Sequence, residues 1–512
     1  MAQVPPRAGN TATGSGSDAH GDRSHNVANG DSSDGAGDDS ANIAIGWNAQ
    51  GDGDRSANVA SGNGTRATGD DSFNVAIGNG ADSNGNFSRN VANGNLAQAD
   101  GNGSSNVATG DSADSSGHNS ANFAVGKSAK AFGARSFNGA LGINADAQGN
   151  DSSNLASGNG ANASGANSSN IAIGLNATAT GDGGAKTAIG TRASATGANS
   201  MAFGGDSAAS GEDATAIGLS SKASNINATA VGARANASGA NAMAFGGDSE
   251  ASGEDATAVG FDSTANNTNT TAIGAGAAAT GVNAMAFGAD SAAAGVKGTA
   301  VGNASSAEGE NATAIGADSK AAGAKGTALG NASSAGGANA TAIGQQATAN
   351  FVNSTAIGTN AATTRDNQMA FGTVGNTYTM AGVTSSASRA AQSGPLQVVT
   401  TDSDGNLASD QGYIFDTLVR LDNRIDKQGR KLSEGVAMAM AVQDPDLMGQ
   451  EMFGVKLNWG TFEHSNAVGL SAAGVLAHDI FSDGDRLSMS GGIGYGVQDK
   501  NLGGRVGLQL SW

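Results

Sequence analysis

The 512-residue sequence has no cysteine, four prolines, three tryptophans, three tyrosines and five histidines. Without cysteine there is no disulfide framework and no thiolate metal site. Charged residues make up 14%, against about 25% in an average chain. Acids exceed bases by 45 to 26, giving a net charge of −19, which argues against a nucleic-acid partner. Large apolar side chains are too sparse to fill the core of a compact enzyme of this length. No run of 18 apolar residues is present, so no transmembrane helix is expected. The opening MAQVPPRAGN carries one Arg and no apolar core, so a signal peptide is not expected in this chain. Catalytic signatures are also missing. His20, His25, His118, His464 and His478 lie in turn-like contexts without metal spacing, and there is no G-x-S-x-G elbow. No enzyme activity and no cofactor are expected. Asp31, Asp34, Asp38, Asp39, Asp70 and Asp71 read as a solvated acidic face, with adventitious Ca²⁺ as the alternative.

Glycine is abundant, at 82 residues, and it is periodic. Glycines ending short apolar steps recur without a slip at Gly14, Gly30, Gly46 and onward to Gly190, a 16-residue period. From Gly190 the series tightens to Gly204, Gly218, Gly232 and onward to Gly372, a 14-residue period. A second Gly follows most of these by half a coil, as Gly21 follows Gly14 and Gly197 follows Gly190. Asn225, Asn267, Phe351 and Arg365 replace it in four coils, and Asn tolerates positive φ best of these. The longer period carries Ser and Asn at fixed places, as in Ser24 and Asn26 or Ser56 and Asn58. Met-Ala-Phe recurs at Met201, Met243 and Met285, three coils apart each time, the mark of duplicated three-coil blocks. A 14-residue period is too short for helix pairs and fits two short strands and two tight turns per coil. The expectation is a parallel β-roll of 24 coils, about 4.8 Å apart, roughly 115 Å long.

Each repeated strand centres on Ala, flanked by larger apolar residues. These are Val27, Ile43, Val59, Val75 and Val91 early in the chain. Later they are Ile217, Val231, Phe245, Val259, Ile273, Phe287 and Ile315. If the stripe fills the interior, no partner is required. If Ala fills it, the stripe faces outward and needs one; the second reading is preferred here.

Beyond the repeat, Ile414, Leu418, Leu421, Ile425, Gln428 and Leu432 are spaced 4, 3, 4, 3, 4, a coiled-coil seam with one polar member. Asp444-Pro445 ends the helix. A single amphipathic helix on a globular domain is the alternative. Four segments of period two follow, each about ten residues, the length of a tilted transmembrane strand. Their apolar sides include Phe453, Trp459, Tyr495, Leu508 and Leu510, and Trp512 ends the chain. Four strands cannot close a barrel, and open edges in hydrocarbon cost several kcal/mol per unpaired group. Two copies give eight strands and three give twelve. The facing residues of the last three segments are mostly Gly, Ser and Ala, leaving room for the upstream helices, which favours three. A soluble four-stranded sheet is the alternative.

These residues resemble the trimeric autotransporter adhesins with YadA-like heads. The head repeat of that family, SVAIG-x-x-A-x-A-x-G, is matched by ATAIG at 214–218, ATAVG at 256–260 and ATAIG at 312–316. Its anchor, a short helix plus four strands ending in an aromatic residue, resembles 430–512. The resemblance implies a mostly β homotrimer with a left-handed parallel β-roll head, a short coiled-coil stalk and a C-terminal transmembrane β-barrel of twelve strands. It places the anchor in the bacterial outer membrane with the head on the cell surface. It implies as partners outer-membrane lipid, the barrel-assembly machinery and a host surface or matrix ligand. The corresponding division is an N-terminal segment at 1–13, head at 14–372, neck at 373–409, stalk and lumen helix at 410–444, and anchor at 445–512. The expected function is a non-catalytic surface adhesin whose anchor mediates its own export. The alternative is an ice- or crystal-binding rod on the same anchor, suggested by a threonine ladder that includes Thr215, Thr229, Thr257 and Thr271.

Overall fold

The computed structural model describes residues 9–512. Residues 1–8 of the expected N-terminal segment lie outside the described residues. The chain divides into two compact units, up to Asn376 and from Thr377.

The first unit is a β-solenoid. Twenty-five three-residue strands, from Thr11–Thr13 to Met369–Phe371, form one parallel sheet. Each strand pairs in unbroken register with the same strand of the next coil, as in Ala216 with Ala230 and Ile217 with Val231. The central alanine of nearly every coil is fully buried, and so are companions such as Ala223 and Ala228. The interior is therefore alanine-wide. That settles the direction of the flanking stripe: Ile217 and Phe245 remain 41% and 37% exposed although stacked in a ladder.

The two periods differ in what closes the coil. In the 14-residue coils a second sheet of twelve two-residue strands runs from Ser194–Ala195 to Thr348–Ala349. In the 16-residue coils that second strand shrinks to single bridges such as Asp34 with Gln50, so the expectation of two strands per coil holds only for the later half. The two additional residues house a buried asparagine ladder. Asn106 is fully buried, and its Nδ2 donates to the carbonyls of Asp100 and Gly117, both at 2.9 Å. Its Oδ1 accepts from Ser120 Oγ at 2.9 Å and from the Asn122 backbone N–H at 3.0 Å. The same set repeats from Asn26 to Asn154, except at Asn90, where Ser104 Oγ donates only to the Gly101 carbonyl, so nearly every buried amide is paired.

The glycines also divide by role. Gly46 ends a strand at φ 129°, where a side chain is strained. The sequence predicts that the second glycine supplies a left-handed turn, with Asn225 and Asn267 standing in. In the 14-residue coils this is corrected: Gly197, Gly211 and Asn225 are not left-handed, and the positive-φ residues are Asn199, Asp213 and Asn227. Gly197 is needed for another reason. A Cβ there would run into the Gly211 carbonyl of the next coil.

In the second unit a 3-10 turn, Ala381–Thr384, precedes a short helix, Ser386–Ala391, capped by Ser385, whose hydroxyl accepts the Ser388 N–H at 3.0 Å. A hairpin pairs Val399–Thr401 with Leu407–Ser409. The long helix Tyr413–Ala441 follows Asp410, whose carboxylate accepts the Ile414 N–H at 2.8 Å and is held below its ordinary pKa chiefly by that bond. Four antiparallel strands complete it in chain order: Phe453–Phe462, Ser465–His478, Arg486–Gly496 and Leu502–Ser511.

Two outcomes test the coil. Asn106→Ala orphans the buried Asn122 N–H, at a cost of about 2 kcal/mol. Hydrogen exchange should lose roughly 30-fold protection around that coil, while Ser105→Ala leaves it unchanged. Second, burial pushes Asp52 and Asp100 up to about 6; Asp34 adds to this at Asp52, and Asp82 and Asp114 at Asp100, while hydrogen bonds from the Ala36 and Asn84 N–H groups, and more weakly His20 and Arg66, oppose it. The folded head therefore holds these protons more tightly than the unfolded chain. Its stability should rise as pH falls from about 7 toward 5. Thermal unfolding at the two pH values checks this, and Asp100→Asn should flatten the difference.

Candidate functional site

Two surfaces stand out, and neither is a catalytic pocket. The first is the outer face of the long parallel sheet. The ladder of Ile217, Val231, Phe245, Val259, Ile273, Phe287 and Ile315 runs along it, each residue exposed or half-exposed. Thr215, Thr229, Thr257 and Thr271 stand two residues upstream on the same face, interrupted by Met201, Met243 and Met285. The turns are polar. Arg23 pairs with Asp39 and Arg55 with Asp71, and each guanidinium lowers the pKa of its carboxyl partner. These pairs are solvent-exposed and individually contribute little.

The second surface is the four-stranded sheet, whose faces differ sharply. Because side chains alternate, Phe453, Trp459, Tyr495, Leu508 and Leu510 fall on one face, and all are exposed. Trp512, just past the last strand, is 91% exposed. The other face carries cross-strand rows of small residues, such as Asn458, Gly469, Gly494 and Gly503. The long helix lies on that face. A Cβ on Gly460 would collide with the Ala437 carbonyl, one on Gly469 with that of Ala441, and one on Gly496 with the Glu434 carboxyl. The glycines let helix backbone and sheet backbone meet directly.

Polar groups hold the helix at this depth. Glu434 is fully buried and accepts the Asp499 N–H at 2.9 Å and Asn501 Nδ2 at 2.7 Å, both in the last turn of the sheet. Asp444 pairs with Arg505 of the last strand, and Ser471 donates to the Gln443 carbonyl. Alternation in the sequence exposed the two faces of the sheet, but Glu434 was missed. Its signal was a lone acid beside Gly435 and Ala437 on an otherwise small-residue helix end.

Upstream, Ile414, Leu418, Leu421, Ile425 and Leu432 are all exposed, Leu432 at 73%. Both outer edges of the sheet are unpaired: the first strand bonds only to the second and the last only to the third. No described helix is long and apolar enough to cross a membrane. Among the described residues no three His, Asp or Glu side chains are placed to hold a metal ion. His20 sits against Asp18 at 3.0 Å, which raises its pKa.

Comparison with known proteins gives one family. The YadA head domain repeat matches in eight segments, 187–207, 209–235, 223–249, 237–262, 251–277, 279–305, 307–333 and 335–361, all in the 14-residue coils. Among solved structures, the collagen-binding domain of the Yersinia adhesin YadA aligns at 23% identity, covering 43% of this chain and 86% of that one, with a TM-score of 0.20. No curated protein sequence matches the chain.

Gly460→Leu places a branched side chain where helix and sheet backbones touch. The helix should lift from the sheet, and the full chain should lose the compact, protease-resistant C-terminal fragment of the native protein. Leu457→Ala on the opposite face should retain it.

Proposed function

We propose, on the premise that this chain is by its head repeats a YadA-like trimeric autotransporter adhesin, that it anchors a stiff repetitive head on the bacterial surface and attaches by many weak contacts. The observation that carries this reading is the C-terminal sheet. It has an apolar outer face, an inner face of small residues covered by its own helix, and two unpaired edges. In hydrocarbon those edges are untenable singly. Three copies supply twelve strands and close the barrel, with three helices filling the lumen.

In this reading Phe453, Trp459, Tyr495, Leu508, Leu510 and Trp512 face lipid and its interfaces. The exposed Ile414, Leu418, Leu421, Ile425 and Leu432 zip three helices into a short coiled-coil stalk. The barrel-assembly machinery inserts the anchor, the head passes outward, and it stays covalently attached. The apolar ladder from Ile217 to Ile315 packs against the same face of sister chains. That leaves the polar turns and the second sheet for the ligand, a host matrix or abiotic surface. Repetition along the rod and symmetry raise avidity without a deep pocket. The threonine ladder shares its face with the apolar stripe, so a sister chain, not ice, occupies it.

Removing residues 15–372 should abolish attachment of expressing cells to matrix-coated and bare surfaces. The anchor should still migrate as an oligomer when unboiled. Attachment undiminished by the deletion would overturn the adhesive role of the head.

A further inference from the structure

The apolar character of the outer face does not stay on one line. In the coils from Val27 to Ile171 the first strand position is apolar in all but Gly139, while the third varies between polar residues such as Asn93 and Thr109 and apolar ones such as Ile77. From Thr187 onward the pattern reverses. The first position is Thr or Met in every coil and the third is always large and apolar, from Ile189 to Phe371. The strand register does not slip, since Ile171 pairs with Thr187 and Ile173 with Ile189. The stripe itself therefore crosses the strand by two residues, about 6–7 Å.

The asparagine ladder ends in the same coil. Where the next Asn would stand is Lys186, only 2% exposed. Its backbone N–H donates to Asn170 Oδ1 at 3.3 Å, and its ammonium donates to the carbonyls of Gly183 at 2.8 Å and Gly181 at 3.2 Å. Gly181, Gly183 and Gly184 all adopt positive φ around it. A buried ammonium thus takes over the carbonyls of the turn as the coil shortens.

We infer that the head is two self-association segments joined at residues 181–187, which meet sister copies of the chain along different lines of one sheet. The partner on this face is a second copy in both halves. In the later half, fourteen third-position side chains presenting roughly 70 Å² each offer about 1,000 Å² per chain, above the ~800 Å² a stable contact needs. The shift of the stripe requires each rod to turn about its own axis at the joint, and Lys186 with its glycines is the piece of chain that accommodates the turn. This inference rests on the homo-oligomeric reading above.

The absence of cysteine makes the test direct. Single substitutions in the full chain, Val107→Cys or Thr109→Cys before the joint and Thr257→Cys or Val259→Cys after it, are oxidised and run without reductant. Disulfide-linked chains are expected with Val107→Cys and Val259→Cys, at least tenfold over Thr109→Cys and Thr257→Cys. Cross-linking at the same strand position on both sides would overturn the joint while leaving the oligomer intact. A monomeric mass for the unsubstituted native chain would instead overturn the homo-oligomeric reading itself.

Discussion

In its 14-residue coils the head has room inside for Ala, Ser and little else, and the 16-residue coils add only a file of hydrogen-bonded asparagines. Its short coils, closed by two tight turns and stacked through backbone hydrogen bonds, bring opposite walls too close for Val, Ile or Phe. Alanine fills the interior, and everything larger and apolar is driven outside. An ordinary fold hides its large apolar side chains and then docks with what remains exposed. Here those side chains stay on the surface, and in the proposed oligomer their burial is deferred to a second molecule.

The C-terminal sheet reaches the same state from the opposite direction. Its large apolar side chains, Phe462 at a strand end apart, lie mainly on the face away from its helix. On the covered face Gly460, Gly469, Gly492, Gly494 and Gly496 remove the side chains, and the helix backbone rests on the strand backbone. What fixes the helix is polar: Glu434 on the last turn, Asp444 on Arg505 and Ser471 on the Gln443 carbonyl. A buried carboxylate with two donors is directional where a glycine surface is not, so it gives the helix one stopping place.

Much of this could be read from the residues. The repeat interval, the alternation around Ala216 or Ala258, the helical spacing from Ile414 to Leu432 and the four segments of period two each report a local periodicity, and periodicity is what sequence carries best. Properties that depend on the neighbouring coil were harder to see. Ser and Asn at fixed places announced a constraint, but not that Asn106 spans two coils with four hydrogen bonds. Gly197 looked like a turn residue because glycine in a loop has two physical causes; the carbonyl of Gly211, which decides between them, belongs to the following coil. The shrinkage of the second strand to single bridges in the longer coils, as at Asp34 and Gln50, follows from how the added residues redirect the chain. That is geometry, not composition. The direction of the apolar stripe was likewise open until the width of the interior was known.

Because every coil bonds to the next through an identical register, a block of coils can be copied or deleted without inventing a contact. The Met-Ala-Phe coils at Met201, Met243 and Met285, with two threonine coils between each pair, carry the imprint of such copying. Each three-coil block adds about 14 Å of reach and renews its own ladder on both flanks. The length of the head can thus change by unequal recombination in a single genetic event, with the C-terminal unit left as it was.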